Sequence, residues 1–258
     1  MPIKPINRRA AALAWMTGAI LWGCGGAGAA PSPVPAPAGT YSSAHFVFQY
    51  TTLDAGNVGT MASAVEGQYD RILSDLGVDR MPAITVTLYL DHAAMVAATQ
   101  AVAGPIPASA SGLVTGESRI HLMSPNAPAW APFDRMVSNL IHEFAHCVSL
   151  HVNPRIGNNP RWLWESVAIY ESRQSVDLRT VGYMIALTPP SFATLNAFDN
   201  TRVYEVGYSI GEFVVARWGQ RALRDLIAAN GETDGVVGIS LADFQRDWFA
   251  FVRERYGL

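Results

Sequence analysis

Only two cysteines, Cys24 and Cys147, occur in 258 residues, and only 15% of the chain is charged. Two cysteines cannot build a disulfide framework. Eighteen Lys and Arg stand against 21 Asp and Glu, for a net charge of -3. With no basic block, nucleic acid is excluded as the expected partner. No repeat of fixed period occurs, which excludes solenoid and propeller arrays. The apolar run over residues 10–22 is short for a membrane span. Half of the residues are hydrophobic. That composition supports one core of ordinary size, with room for two lobes.

The first forty residues read as processing and tether. Lys4, Arg8 and Arg9 precede the apolar run, small residues follow, and a Pro/Ala stretch covers 31–37. This pattern is that of a secretory signal and a flexible linker. Two cleavage sites compete. Leu21-Trp22-Gly23-Cys24 resembles a bacterial lipoprotein box, giving a signal over 1–23 and lipidation at Cys24. Ala27-Gly28-Ala29 is an A-x-A site, giving a signal over 1–29. Residues 24–40 are then a Pro/Ala/Gly-rich linker to a domain over 41–258. The expected location is outside the bacterial cytoplasm, either lipid-anchored in the envelope or soluble in the periplasm or beyond. Any membrane contact would run through the lipid alone.

Two histidines lie four apart in His142-Glu143-Phe144-Ala145-His146. On a helix that spacing puts them about 40° apart on one face, so both imidazoles reach one metal ion. Glu143 lies one residue along and can touch a water at the metal without being a ligand. Glu165, in Trp162-Leu163-Trp164-Glu165-Ser166, can supply an oxygen as third ligand. Three protein ligands and one open position describe a catalytic zinc, whereas a structural zinc is closed by four. Two neutral imidazoles and one carboxylate leave zinc with a net positive charge, so a water in the open position ionises near neutral pH. Glu143 would take its proton during attack on a carbonyl and pass it to the leaving amine. Cys147 is turned about 100° from the ligand face and reads as a small buried apolar residue.

Residues 45–52 alternate as a strand. A helix over 57–76 follows, capped by Asn57, with Met61, Val65, Tyr69, Ile72 and Leu76 on one face and Gly77 as its stop. Residues 84–90 form a β-branched strand, Asp91 caps a short helix to about Gln100, and 119–123 form a further strand. The Ala/Gly/Pro/Ser-rich stretch over 101–116 reads as a loop and a plausible lid. The zinc helix spans about 132–151, with Val137, Ile141, Phe144 and Val148 as its core stripe. Asn158 and Asn159 before Pro160 cap the helix that carries Glu165. Asn200 or Thr201 caps another helix to Trp218, and helices over 220–230 and 241–256 close the chain. The expected class is α+β, with a sheet lobe over 41–125 and a helical lobe over 126–258.

A second electrophile is needed for the oxyanion. Tyr204 and Tyr208, one turn apart on one face, are the candidates, with Tyr204 placed at catalysis. Gly207 and Gly211, also one turn apart, point to close helix packing. Glu171 reads first as a solvated helix residue and second as outer support for a ligand histidine.

His142-Glu143-x-x-His146, eighteen residues, then Glu165 resembles the gluzincin metallopeptidases, and Trp162-Leu163-x-Glu165-Ser166-x-Ala168-x-Tyr170 resembles the third-ligand helix of their peptidase MA-like branch. Tyr204-x-x-Gly207 resembles the tyrosine motif of the aminopeptidase-type members. The resemblance implies a zincin-like fold with a zinc cleft between the lobes. It implies one Zn2+ per chain, held by His142, His146 and Glu165, with Glu143 as general base. It also implies that the strand over 119–123 borders the cleft, where a peptide adds to its edge. Ser166 stands where the family usually has glycine, and no G-x-M-E-N segment precedes the zinc helix, which argues against an aminopeptidase of that type. The expected protein is thus an exported metallopeptidase acting on a peptide or protein substrate. A zinc hydrolase of a non-peptide amide, or a lipoprotein that uses the fold as a binding or scaffold module, are the alternatives. The sequence is silent on oligomeric state.

Overall fold

Runs of β-branched and aromatic residues build one five-stranded sheet. The computed structural model describes residues 37–127, 132–198 and 200–258. Its strands are β1 (Gly39–Ser42), β2 (Phe46–Tyr50), β3 (Ile84–Tyr89), β4 (Gly112–Val114) and β5 (Arg119–Met123). Their spatial order is β1-β2-β3-β5-β4, with β2, β3 and β5 parallel and the two outer strands antiparallel to their neighbours. Parallel neighbours need a crossover. Helix α1 (Val58–Asp75) bridges β2 to β3, and α2 (His92–Ala103) lies between β3 and β4. The remaining helices are α3 (Phe133–Val152), α4 (Arg161–Glu171), α5 (Gly182–Ile185), α6 (Phe192–Leu195), α7 (Val203–Trp218), α8 (Arg221–Ala228), α9 (Thr233–Val237) and α10 (Leu241–Tyr256). The class is mixed α+β. The signal, Cys24 and the linker up to residue 36 lie outside the described residues.

Alternation puts Phe46, Phe48, Ile84, Val86, Ile120 and Leu122 on one buried sheet face. Helices α1 and α3 cover it. Met61, Val65, Tyr69, Ile72 and Leu76 are buried, as the 3.6-residue period requires. Phe46 of β2 meets Phe144 of α3 edge-on at 5.2 Å, and Tyr69 of α1 stacks on Phe144 at 5.5 Å. These three rings lock sheet, α1 and α3 together beside the metal-binding motif.

Several local expectations change. Gly39 and Thr40, placed in the linker, already belong to β1. The stretch read as a lid contains β4, which the small residues around it conceal. Strand β5 is therefore interior, paired with β3 on one side and β4 on the other, so no peptide can add to it. Met136 and Leu140 are fully buried early in α3, while Val137 and Ile141 are only half-buried. Asn57 makes no side-chain cap. At α4, Pro160 itself is the N-cap without a side-chain bond. The Trp162 N–H instead donates to Asn196 Oδ1 at 3.0 Å, a cap delivered from beyond α6.

Helix α4 crosses α7 closely because α7 carries glycines at the contact. A Cβ on Gly207 would lie 2.7 Å from Ile169 Cδ1, and one on Gly211 would lie 2.5 Å from Tyr170 Cβ. Glu171, read as solvated or as support for a histidine, is neither. It is fully buried at the end of α4, accepting from Arg71 Nη1 of α1 at 2.7 Å and from Gln220 Nε2 at 3.1 Å. Arg71 also binds Asp75 at 3.1 Å. The cluster fastens the far end of the third-ligand helix.

Burial, with the Asp75 charge beside it, pushes the Glu171 carboxyl from 4.5 up to about 7 despite Arg71. Between those values the folded chain keeps a proton that the unfolded chain releases, so this contribution to stability is lost as pH rises from about 4.5 to 7. Glu171→Gln removes it. Urea unfolding is expected to show the variant losing less stability than wild type across that window; identical pH dependence would refute the assignment.

Candidate metal centre

His142, Glu143 and His146 lie where α3 is buried on every side, from His142 through Ser149. The sheet packs against one flank and α4 against the other, so polar groups here are largely shielded from solvent and turn to one another. Helix α4 brings Glu165 to meet them. His142 Nε2 lies 3.3 Å and His146 Nε2 3.8 Å from Glu165 Oε2. One ligand atom from each residue falls within 4.8 Å of the others. The two imidazole planes are near-perpendicular, at 89°. His146 is held by Trp164, whose indole stacks on it at 3.8 Å and 6°.

The buried polar atoms here are incompletely paired. Glu165 Oε2 and the Nδ1 atoms of His142 and His146 have no hydrogen-bond partner among the described residues. An unsolvated carboxylate oxygen aimed at two imidazole nitrogens is costly unless a positive charge joins them. Protonated His142 supplies it through its 3.3 Å ion pair with Glu165, and a metal cation at the same point would supply it instead. The group of His142, His146 and Glu165 can therefore hold a metal ion.

Electrostatics follow from burial. Burial opposes ionisation of Glu165, but the facing imidazoles of His142 and His146 overcome it and hold the carboxyl below its ordinary range. Burial likewise opposes a charge on His142, yet Glu165 and Glu143 raise it. His146 is pushed down to about 4 by burial and then by its neighbour His142. Burial raises Glu143 to about 7, with the His142 charge acting against it. Burial keeps the Cys147 thiol protonated, and its Sγ lies 3.9 Å from the Gly116 carbonyl, away from the ligands.

The two candidate tyrosines separate. Tyr204 Oη lies 3.3 Å from Glu165 Oε1, at the site. Burial and the Glu165 charge raise its pKa above the ordinary phenol value. Tyr208 lies one turn further along the same face of α7, where it packs on Tyr170 of α4 at 5.4 Å, away from the ligands. His121 does not reach the ligands; it is held between Tyr89 Oη at 2.9 Å and Thr115 Oγ1 at 2.8 Å.

Four contributors escaped the sequence reading. Arg161 is buried four residues before Glu165 and lies 3.8 Å from its Oε1. That i,i+4 spacing was the one available signal. Trp164 braces His146. Gln174 favours the charged form of His142 and donates to Asn139 Oδ1 at 2.9 Å; Asn139 donates in turn to Ser111 Oγ at 2.7 Å, beside β4. Gly112 of the edge strand β4 lies against Glu143, where a Cβ would come within 2.7 Å of Oε1. No local pattern announces the last three.

Elemental analysis of the purified protein is expected to find about one divalent ion per chain. His146→Ala and Glu165→Ala should each lose the ion while keeping their far-UV circular dichroism; Cys147→Ala should retain it. A folded wild type that binds no ion at saturating metal would refute the centre. No protein-family model matches the chain, and no curated protein matches it.

Proposed function

We propose that the chain is an exported zinc-dependent metallopeptidase that hydrolyses peptide bonds with Glu143 as general base. The observation that carries this reading is the convergence of His142, His146 and Glu165 on one buried point, with Glu143 beside it and an edge strand running past. Nitrogen and oxygen ligands about 2.0–2.2 Å from a tetrahedral zinc lie roughly 3.3–3.6 Å apart. The 3.3 Å from Glu165 Oε2 to His142 Nε2 falls within that span, and the 3.8 Å to His146 Nε2 lies just beyond it. The residues also match the gluzincin pattern and its peptidase MA-like branch, which supports a zincin-like fold. Export rests on the signal-like N-terminal sequence, and no helix among the described residues is long and apolar enough to cross a membrane.

When bound, zinc supplies a Lewis acid for the scissile carbonyl and lowers the pKa of a water. Glu143, buried beside the ligands, would take a proton from that water and return it to the leaving amine. Tyr204 offers the hydroxyl nearest the ligands for the charge that develops on the carbonyl oxygen. Strand β4 ends the sheet, leaving one row of backbone groups for an extended peptide. On this reading the peptide lies along β4 rather than β5, with its backbone next to Glu143.

Glu143→Gln is expected to cut peptide hydrolysis by at least about a hundredfold, with metal content unchanged. Loss of metal and activity together would overturn its role as base. Gly112→Ala tests the edge strand. The new methyl would press the Glu143 carboxylate and Leu122 Cδ1, the latter at 3.0 Å. The expected result is a kcat lower by roughly tenfold to a hundredfold with metal retained; wild-type kcat would remove β4 from the substrate site.

A further inference from the structure

We infer that Arg161 is a positioning residue that fixes Tyr204 as a hydrogen-bond donor toward the reacting centre and leaves Glu165 a single oxygen for the metal. This rests on the peptidase reading of the same site. Arg161 opens α4 and is only 6% exposed, so its charge sits in the protein by design of its surroundings. Nη1 donates to the Asn200 carbonyl at 2.7 Å, just before α7. Nη2 donates to Tyr204 Oη at 3.3 Å and lies 3.8 Å from Glu165 Oε1. The guanidinium carbon stands 5.4 Å from the centroid of the Tyr204 ring.

The direction of these bonds follows from donor chemistry. A guanidinium has five N–H donors and no acceptor. Tyr204 Oη must therefore accept from Arg161, and its own proton must go elsewhere. Here it goes to Glu165 Oε1 at 3.3 Å. The phenol therefore turns a lone pair toward Arg161 and its proton toward Glu165. Both contacts to Oη are 3.3 Å, longer than a good N–H···O bond (roughly 2.7–3.2 Å) or O–H···O bond (roughly 2.5–3.0 Å), so the hydroxyl is held without being locked. An arriving carbonyl oxygen that gains negative charge is a stronger acceptor than Glu165 Oε1 already shared with a cation. The proton of Tyr204 then moves its hydrogen bond to that oxygen while Arg161 holds the hydroxyl from behind.

Glu165 shows the same division. Its Oε1 is occupied by Tyr204 and approached by Arg161, whereas Oε2 has no hydrogen-bond partner and faces the two imidazoles. One oxygen belongs to the protein and the other to the ion. Lysine would not replace Arg161: an ammonium is a point charge and lacks the planar fork that spans Asn200 O and Tyr204 Oη at once.

A merely structural role for Arg161, tying α4 to the start of α7, is separated from this by a double-mutant cycle. The full chain is assayed on a quenched peptide library as wild type, Arg161→Lys, Tyr204→Phe and the double variant, each with metal content measured. Arg161→Lys and Tyr204→Phe are each expected to lower kcat about tenfold or more, with KM within about twofold and metal retained. The double variant is expected to be no slower than Tyr204→Phe. Arg161→Ala supplies a second route: added guanidinium should restore kcat when Tyr204 is present and not in the Phe background. Losses that multiply in the double variant, or rescue that ignores Tyr204, would overturn the inference and leave the peptidase reading standing. A metal-loaded wild type that cleaves no peptide would overturn the peptidase reading, and the inference with it.

Discussion

A single buried oxygen governs this molecule. Glu165 Oε2 is shielded from water, receives no hydrogen bond and points at two imidazole nitrogens. A charged atom in that setting costs several kcal/mol unless something positive joins it. Everything around it is fixed so that the three groups cannot move apart to find other partners. Phe144 pins α3 to the sheet from the residue next to Glu143. Gly207 and Gly211 let α7 press on α4, and the Arg71–Glu171 pair anchors the end of α4. Trp164 closes the fourth side by stacking on His146. The strain of unpaired polarity and the rigidity that sustains it are one design.

What the sequence disclosed was what acts over one or two turns. Two histidines four apart, the β-branched run of β3 and the stripe from Met61 to Leu76 each follow from backbone geometry alone, and the structure has them there. Glu165 was legible as a partner of the two histidines because it sits in a helix of recognisable pattern, and α4 does bring it to them. The misses share a cause: each depends on a partner far along the chain. Glu171 carries a charge on what looked like a solvated helix end, and only the approach of Arg71, a hundred residues earlier, makes it a buried anchor. Strand β4 is three residues among Gly, Ala and Ser, with no side-chain alternation to mark it; pairing with β5 creates it. Tyr204 and Tyr208 share a helix face in sequence terms, and which of them meets the ligands depends on how α7 lies across α4.

Polar and apolar parts divide the labour at the centre. Aromatic rings set the positions of the ligand helices, since stacked and edge-on contacts are directional as well as adhesive. Hydrogen bonds then set the roles of individual atoms. Gln174, Asn139 and Ser111 form a polar chain from beside His142 to the start of β4. Arg161 does the corresponding work on the opposite side, between Glu165 and Tyr204. The centre thus touches both the strand that would hold a substrate and the helix that would respond to it.

The Asn196 cap on Trp162 carries a consequence for the order of assembly. Helix α3 has its two imidazoles as soon as it forms, but α4 waits for a side chain thirty-four positions later to satisfy its first turn, and for Gln220 to close its last. Before α4 docks, the chain has only two of the three groups that can hold an ion. The complete set comes into register once some four-fifths of the polypeptide has docked. An ion held by His142, His146 and Glu165 together would in this way report a finished fold, because the third group arrives only with these late contacts.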